Sequence, residues 1–217
     1  LTRGLARGNP AWVQLLGLCP LLAVSNSVAN ALGLAVASAF VLIGANVCVS
    51  LLRKGIPEHV RLPVFMLLIA TFTTCAVLLL EAYAFDLYQR IALFVQIIVT
   101  NCMILGRVES FASKRSLWHA LLDALGTSAG FAIALLTLGA ARELLATGAL
   151  GADLGELIGL PTHQAWRLWP SEYGLPLARL APGAFLAAAL LLALGQGIGQ
   201  ARKRRKAPQN IIQTDGK

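Results

Sequence analysis

The 217-residue chain has few charged residues: Asp, Glu, Lys and Arg make up 13% of it, about half of the roughly 25% found in an average soluble domain. Hydrophobic residues make up 57%, and the mean hydropathy is +0.72. A soluble domain of this size would need more charge to cover its surface, and a disordered chain would contain less apolar sequence. The composition excludes both classes and predicts a polytopic membrane protein.

The sequence also has no P-loop, no CxxC pair and no clustered histidines. Glycines alternate at positions 195, 197 and 199, but within an apolar segment, where close helix packing is their expected role rather than dinucleotide binding. We therefore expect no complete active site and no soluble cofactor held by this chain alone.

Apolar blocks divide the chain into six predicted membrane spans. Residues 8–52 contain no charge, which is enough for two short spans at about 20 residues each, and Pro20 interrupts the first of them. The fourth block, 91–106, would form a helix of only about 24 Å, short of the ~30 Å hydrocarbon core. The other spans are predicted at about 31–52, 62–84, 117–139 and 181–201.

Basic residues predict the orientation of these spans. With both termini in the cytoplasm, 14 of the 18 basic residues fall on the inner side, as the positive-inside rule requires. The loop 148–178 would then lie outside, and the basic cluster 202–206 is interpreted as a topology anchor near anionic lipid rather than a nucleic-acid site. The predicted location is the bacterial inner membrane, with multiple passes and no nucleic-acid partner.

The six spans are predicted to form two inverted three-helix repeats within one integral membrane domain, 1–217. Repeat one covers about 8–89 and repeat two about 90–201, followed by a basic cytoplasmic tail, 202–217. Spans 1 and 4 are both short or broken, and interrupted helices at matching positions locate the functional centre of inverted-repeat proteins. The predicted fold class is therefore an all-α polytopic membrane protein of six transmembrane helices.

Cysteines lie in both interrupted segments: Cys19 in the first and Cys102 in the fourth. The repeat would bring the two thiols to the same depth, where soft sulfur ligands suit zinc or an iron–sulfur cluster. Because a cluster usually has four protein ligands, the others would come from a second, similar chain. The alternative is a buried structural cysteine, which is also the expected state of Cys48 and Cys75.

Several segments resemble the RnfE family of bacterial Rnf complexes, and the match covers nearly all of residues 8–200. The NqrD family of sodium-pumping NADH:quinone reductases is a close relative and remains the alternative, although the Cys19-Pro20 pair favours the Rnf family. The matching segments are 8–10 (GNP), 16–24 (LGLCPLLAV), 99–114 (VTNCMILGRVESFASK), 138–145 (LGAARELL) and 180–185 (LAPGAF).

The resemblance implies a translocase component that passes electrons between ferredoxin and NAD and couples this transfer to Na⁺ or H⁺ translocation. It also implies that Cys19 and Cys102 supply two of four ligands to a [2Fe–2S] cluster, with the homologous RnfA protein of the complex supplying the other two. Its partners would be the other Rnf subunits and the lipid bilayer.

Acidic residues near the spans are candidates for an ion path, because ionisable groups are costly in a membrane. Glu109, which follows the second cysteine segment, and Asp123, near the start of span 5, are the two candidates. Arg142 and Glu143 are expected to form a local ion pair. Asn26 and Asn101 are expected to satisfy backbone groups freed at the breaks.

On the residues alone, three functions stay open: a redox subunit of an ion pump, a non-redox inverted-repeat transporter and a scaffold with inert cysteines. Thiols at both breaks, without a charge at either, favour the redox subunit.

Overall fold

The computed structural model describes residues 14–53, 55–83, 85–113, 116–147, 149–150, 166–167 and 180–206. Most of the predicted outer loop 148–178 and the end of the tail lie outside these residues. The described elements are α1 Leu18–Val24, α2 Val28–Leu52, a 3₁₀ turn Glu58–Val60, α3 Arg61–Tyr83, α4 Phe85–Gln96, α5 Cys102–Arg107, a π-helical turn Val108–Ala112, α6 Leu117–Thr147, β1 Ala149–Leu150, β2 Trp166–Arg167 and α7 Ala181–Lys206.

The described residues are helical apart from β1 and β2, two-residue strands that pair antiparallel. Segments Val28–Leu52, Glu58–Tyr83 and Leu117–Ala146 are long and apolar enough to cross a membrane, and Pro182–Gly197 is a shorter apolar helix. The all-α prediction is thus confirmed for this part of the chain. The arrangement as six spans in two inverted repeats stays a prediction.

Helix α2 lies at the centre of the packing. Buried residues recur along its length, from Ala31 to Val49, and it contacts α3 and α6. A Cβ added to Gly139 of α6 would lie 3.2 Å from the Cβ of Ala31, so the two backbones approach closely there. This pairing positions the turn between α1 and α2 against α6.

Helices α3 and α7 have many exposed apolar side chains. In this single chain these faces point away from the core, as lipid-facing or partner-facing surfaces do in membrane proteins. They include Leu62, Leu67, Leu78 and Leu79 of α3 and Phe185, Leu186, Leu190 and Leu194 of α7.

Two expectations from the sequence are wrong. Cys75 is exposed and Cys48 is only half-buried, because Cys75 lies on the outer face of the poorly covered α3. Gly195 and Gly197 have no neighbouring atom within 4 Å of an added Cβ, so they do not serve close packing within the described chain. Helix α7 continues to Lys206, so the basic cluster 202–206 is helical; the division into two repeats and a cytoplasmic tail stays a prediction.

Candidate functional site

The two cysteine-bearing segments are in direct contact. The backbone N–H of Gly17 donates a hydrogen bond to Sγ of Cys102, with an N–S distance of 3.0 Å, across 85 residues of sequence. Gly17 immediately precedes α1, which contains Cys19, and Cys102 is the first residue of α5. Both cysteines are free and exposed. The structure therefore brings the two interruptions together and leaves both thiols at the surface of this chain.

Gly17 suits this contact in both its backbone conformation and the limited space around it. Its φ of +78° lies in the left-handed region, which residues with a Cβ rarely adopt. An added Cβ would lie 3.0 Å from Cε2 of Phe131 and 3.2 Å from Oδ1 of Asn101. Phe131 of α6 is itself buried, so Gly17 is enclosed by the second interruption on one side and by α6 on the other.

Asn101 terminates the second interruption. Helix α4 ends at Gln96, a series of turns follows, and Oδ1 of Asn101 accepts a hydrogen bond from the N–H of Met103 at 3.0 Å. This is the expected role of Asn101, because a broken helix leaves backbone donors to be satisfied. Asn101 is 2% exposed, and its Nδ2 has no hydrogen-bond partner among the described residues.

Asn26 does not have the backbone role expected of it. Its Oδ1 accepts from Nδ2 of Asn30 at 3.0 Å, which is a contact between side chains. The Oγ of Ser27 accepts from the N–H of Asn30 instead and caps α2. Serine is a strong N-cap residue, a signal the sequence contained.

Arg142 holds the end of the first interruption. Its Nη1 donates to the carbonyl of Leu22 at 3.1 Å and to Oγ of Ser25 at 2.9 Å. Its Nη2 donates to the carbonyl of Leu180, at 3.4 Å, just before α7. Arg142 thus joins α1, α6 and the start of α7. The expectation of a local ion pair with Glu143 did not include these contacts.

Glu143 holds the other side of the same turn. Its Oε2 accepts a hydrogen bond from the N–H of Val28, the first residue of α2, at 2.9 Å. Arg142 and Glu143 are 2% and 4% exposed. The sequence signal for this role was their position, since two adjacent charges follow the uncharged stretch 124–141.

The second cysteine segment is tied to α6 by a salt bridge. Nη1 of Arg107 lies 3.3 Å and 3.4 Å from the two carboxylate oxygens of Asp123, and both side chains are about one-fifth exposed. Asp123 therefore has a cationic partner, whereas Glu109 lies exposed on the π-helical turn. An ion-path role for either residue stays a prediction.

Among the described residues, no three His, Cys, Asp or Glu side chains converge as a metal site would require. This part of the chain offers one thiol on each of two contacting segments, Cys19 on α1 and Cys102 on α5. Two thiols can hold part of a metal group, but not a four-ligand set.

These features define the class of protein: a helical membrane protein in which two short, contacting helices each carry an exposed cysteine. The family described as "Rnf-Nqr subunit, membrane protein" matches residues 1–192, and the chain belongs to this family.

Three similar proteins are each named as the E subunit of an ion-translocating oxidoreductase complex. The protein of Pseudomonas paraeruginosa is 48% identical over 208 residues, covering 95% of this chain and 87% of the relative. That of Shewanella frigidimarina is 50% identical over 196 residues, covering 88% and 84%. That of Pseudomonas aeruginosa is 47% identical over 208 residues, covering 95% and 87%. The resemblance found in the motifs is confirmed.

Proposed function

We propose that this chain is the E subunit of an ion-translocating oxidoreductase complex of the Rnf type, and that it carries electrons through the membrane part of that complex. The names of its relatives support the complex, and the contact between Gly17 and Cys102 supports the electron-carrying role. The chain would be a translocase component without a complete active site of its own. Because the relatives reported above are all named as E subunits, the quinone reductase alternative is less favoured.

The proposed cofactor is a [2Fe–2S] cluster held by Cys19 and Cys102 and completed by two thiols of the homologous RnfA protein. Such a cluster supplies one-electron transfer when bound. The residues fit this group: both sulfurs are exposed at the surface of the chain, which leaves room for ligands from a partner, and one of them already accepts an amide hydrogen bond, as cluster sulfurs do.

The remaining residues of the site would keep the two thiols in place. Asn101 fixes the backbone next to Cys102 through Met103. Arg107 and Asp123 tie the same segment to α6, and Arg142 ties the end of α1 to the far end of α6. Helix α6 thus supports both cysteine segments.

The proposed location is the inner membrane, with both termini in the cytoplasm and the spans arranged as two inverted repeats. The positive-inside distribution supports the orientation, and the two interrupted segments support the repeat. Glu109 and Asp123 are the proposed ion-path residues. The salt bridge of Asp123 with Arg107 favours a structural role for that residue, so Glu109 is the stronger candidate.

Single substitutions of the four cysteines in the purified complex test the proposal. Cys19→Ser and Cys102→Ser should each abolish the electron paramagnetic resonance signal of the proposed cluster and the electron transfer of the complex, because each removes a ligand. Cys75→Ser is the matched control, since Cys75 is also exposed and helical, and Cys48→Ser is a second control. The controls should retain the signal.

The ligand assignment would be contradicted if the Cys75 or Cys48 variant lost the signal, or if the Cys19 variant kept it. The non-redox transporter would then again be a candidate function.

A further inference from the structure

We propose that Gly17 is a positioning residue whose backbone N–H sets the electronic environment of the Cys102 sulfur and thereby raises the reduction potential of the group that Cys102 holds. This inference rests on the proposed function, since it concerns the same site. It adds a residue that has no functional side chain and that the sequence motifs alone would not single out.

The donor comes from the opposite interruption rather than from the turn that contains Cys102. Gly17 and Cys102 are 85 residues apart, and the N–S distance is 3.0 Å. A sulfur that ligates a metal carries negative charge and accepts hydrogen bonds more strongly than a neutral thiol. The cysteine segment of one half therefore acts directly on the ligand of the other half.

The geometry of this bond depends on the absence of a side chain at position 17. The φ of Gly17 is positive, which strains any residue with a Cβ, and Phe131 and Asn101 lie 3.0 Å and 3.2 Å from an added Cβ, so they would have to shift. An alanine at this position is strained at this φ, and relief of that strain by a change of the backbone dihedral moves the N–H relative to the sulfur.

Reduction adds one electron, and hence one negative charge, to the group shared by the ligating sulfurs. The electron comes from one neighbouring protein of the complex and leaves to another. An N–H dipole directed at Cys102 stabilises the added charge, and hydrogen bonds to the sulfurs are among the determinants of cluster potential. Loss of the Gly17 bond should therefore shift the midpoint potential to a more negative value.

A redox titration of the purified complex, followed by electron paramagnetic resonance, tests this shift. Gly17→Ala should keep the signal and move its midpoint to a more negative potential. Gly106→Ala is the matched control, because Gly106 lies on α5 with Cys102 and an added Cβ there has no neighbouring atom within 4 Å. Its midpoint should equal that of the unaltered complex. An unchanged midpoint in Gly17→Ala would overturn the inference.

A second measurement needs no substitution in the site. When the complex is labelled with [¹⁵N]glycine and reduced, pulsed electron paramagnetic resonance should detect a weak ¹⁵N coupling from the Gly17 amide. Absence of the coupling would overturn the inference, and so would its persistence in labelled Gly17→Ala, which would show that another glycine is the donor. If the variant fails to assemble, the labelled unaltered complex decides.

The failure of the proposed function is distinguishable from the failure of this inference. If the signal survives Cys102→Ser, or the complex has none, the ligand assignment fails irrespective of Gly17. If the signal requires Cys102 but shows neither the shift nor the coupling, only the role of Gly17 fails.

Discussion

Arg142 and Glu143 show how single residues stabilise an interrupted helix in an apolar protein. Burial of a charged side chain is costly unless it has hydrogen-bond partners, and a helix end in a membrane leaves backbone groups that water cannot reach. Here the buried charged side chains and the free backbone groups satisfy one another. Arg142 donates a hydrogen bond to the Leu22 carbonyl at the end of α1, and Glu143 accepts one from the Val28 amide at the start of α2. Neighbouring residues of α6 thus replace solvent at two helix ends.

At the residue scale, Glu143→Ala should lower the free energy of unfolding by about 1–3 kcal/mol, the usual cost of leaving a buried donor unsatisfied. Unfolding of the purified chain by sodium dodecyl sulfate in mixed micelles measures the change. Glu81→Ala is the matched control, since Glu81 is exposed near the end of α3, and its effect should stay within about 0.5 kcal/mol.

Glu143→Gln should be less costly than Glu143→Ala, because the amide oxygen still accepts from the Val28 N–H. Equal losses in the two variants would mean that the charge of Glu143, rather than its bond to Val28, carries the stabilisation.

At the scale of the helices, the sequence predicted those elements whose ends are marked by charge. Span 31–52 corresponds to α2, Val28–Leu52, and span 62–84 to α3, Arg61–Tyr83. The turn Ser25-Asn26-Ser27 precedes α2, and Arg53, Lys54 and Arg61 lie at the connection between α2 and α3. The apolar runs on either side of this connection have the length of a membrane helix. Such signals are local, so they could be found without knowledge of the tertiary contacts.

The elements that differ are those whose ends depend on distant contacts. Helix α6 continues past the predicted end of its span at residue 139 and ends at Thr147. This is because Arg142 and Glu143, the two charged residues beyond that predicted end, are buried against the α1–α2 turn. Segment 91–106 is divided between α4 and α5, because the side chain of Asn101 bonds the Met103 amide. The contact of Gly17 with Cys102 was likewise not predictable as a bond, since it joins residues that are 85 positions apart in the sequence.

Helix pairing predicts that Gly44→Ala destabilises the contact between α2 and α3. An added Cβ would lie 2.6 Å from Cδ1 of Phe72, and that ring also makes an edge contact with Phe40, with centroids 6.3 Å apart. Overpacking of this kind costs about 1–3 kcal/mol, measurable by the same unfolding assay. Gly195→Ala, where an added Cβ has no neighbour within 4 Å, should be close to neutral.

Phe72→Leu in the Gly44→Ala background should recover part of the loss, because the smaller side chain makes room for the new methyl group. Strict additivity of the two substitutions would argue against a direct clash, since contacting residues are expected to couple.

At the scale of the whole molecule, the exposed apolar faces and the incomplete ligand set point to an assembly. Two thiols would not complete the proposed four-ligand cluster, so the chain expressed alone in membranes should lack the signal of that cluster, and coexpression with RnfA, the proposed partner, should restore it. Visible and electron paramagnetic resonance spectra of the two preparations provide the comparison. A stoichiometric cluster in the isolated chain would mean that Cys48 and Cys75 are ligands after all.

The predicted orientation of the whole chain is tested by reporter fusions. Because 14 of the 18 basic residues lie on the predicted inner side, alkaline phosphatase fused near Gly159 should be active, as in the periplasm, and a fusion near Gly55 should be inactive. The opposite pattern would reverse the topology, and equal activity of the two fusions would remove the basis for the inverted repeat.

The hydrogen bonds of Arg142 also set an order of events during synthesis. The carbonyl of Leu22 accepts a hydrogen bond from Arg142, which lies 120 residues later in the chain. Translation at roughly 5–20 residues per second makes this delay on the order of 6–24 seconds. During that time α1 has left the ribosome without the partner that holds its end. Until then, the Leu22 carbonyl has to accept a hydrogen bond from another donor, such as water, a lipid headgroup or the insertion machinery. The first cysteine segment therefore reaches its final position only after α6 has been inserted.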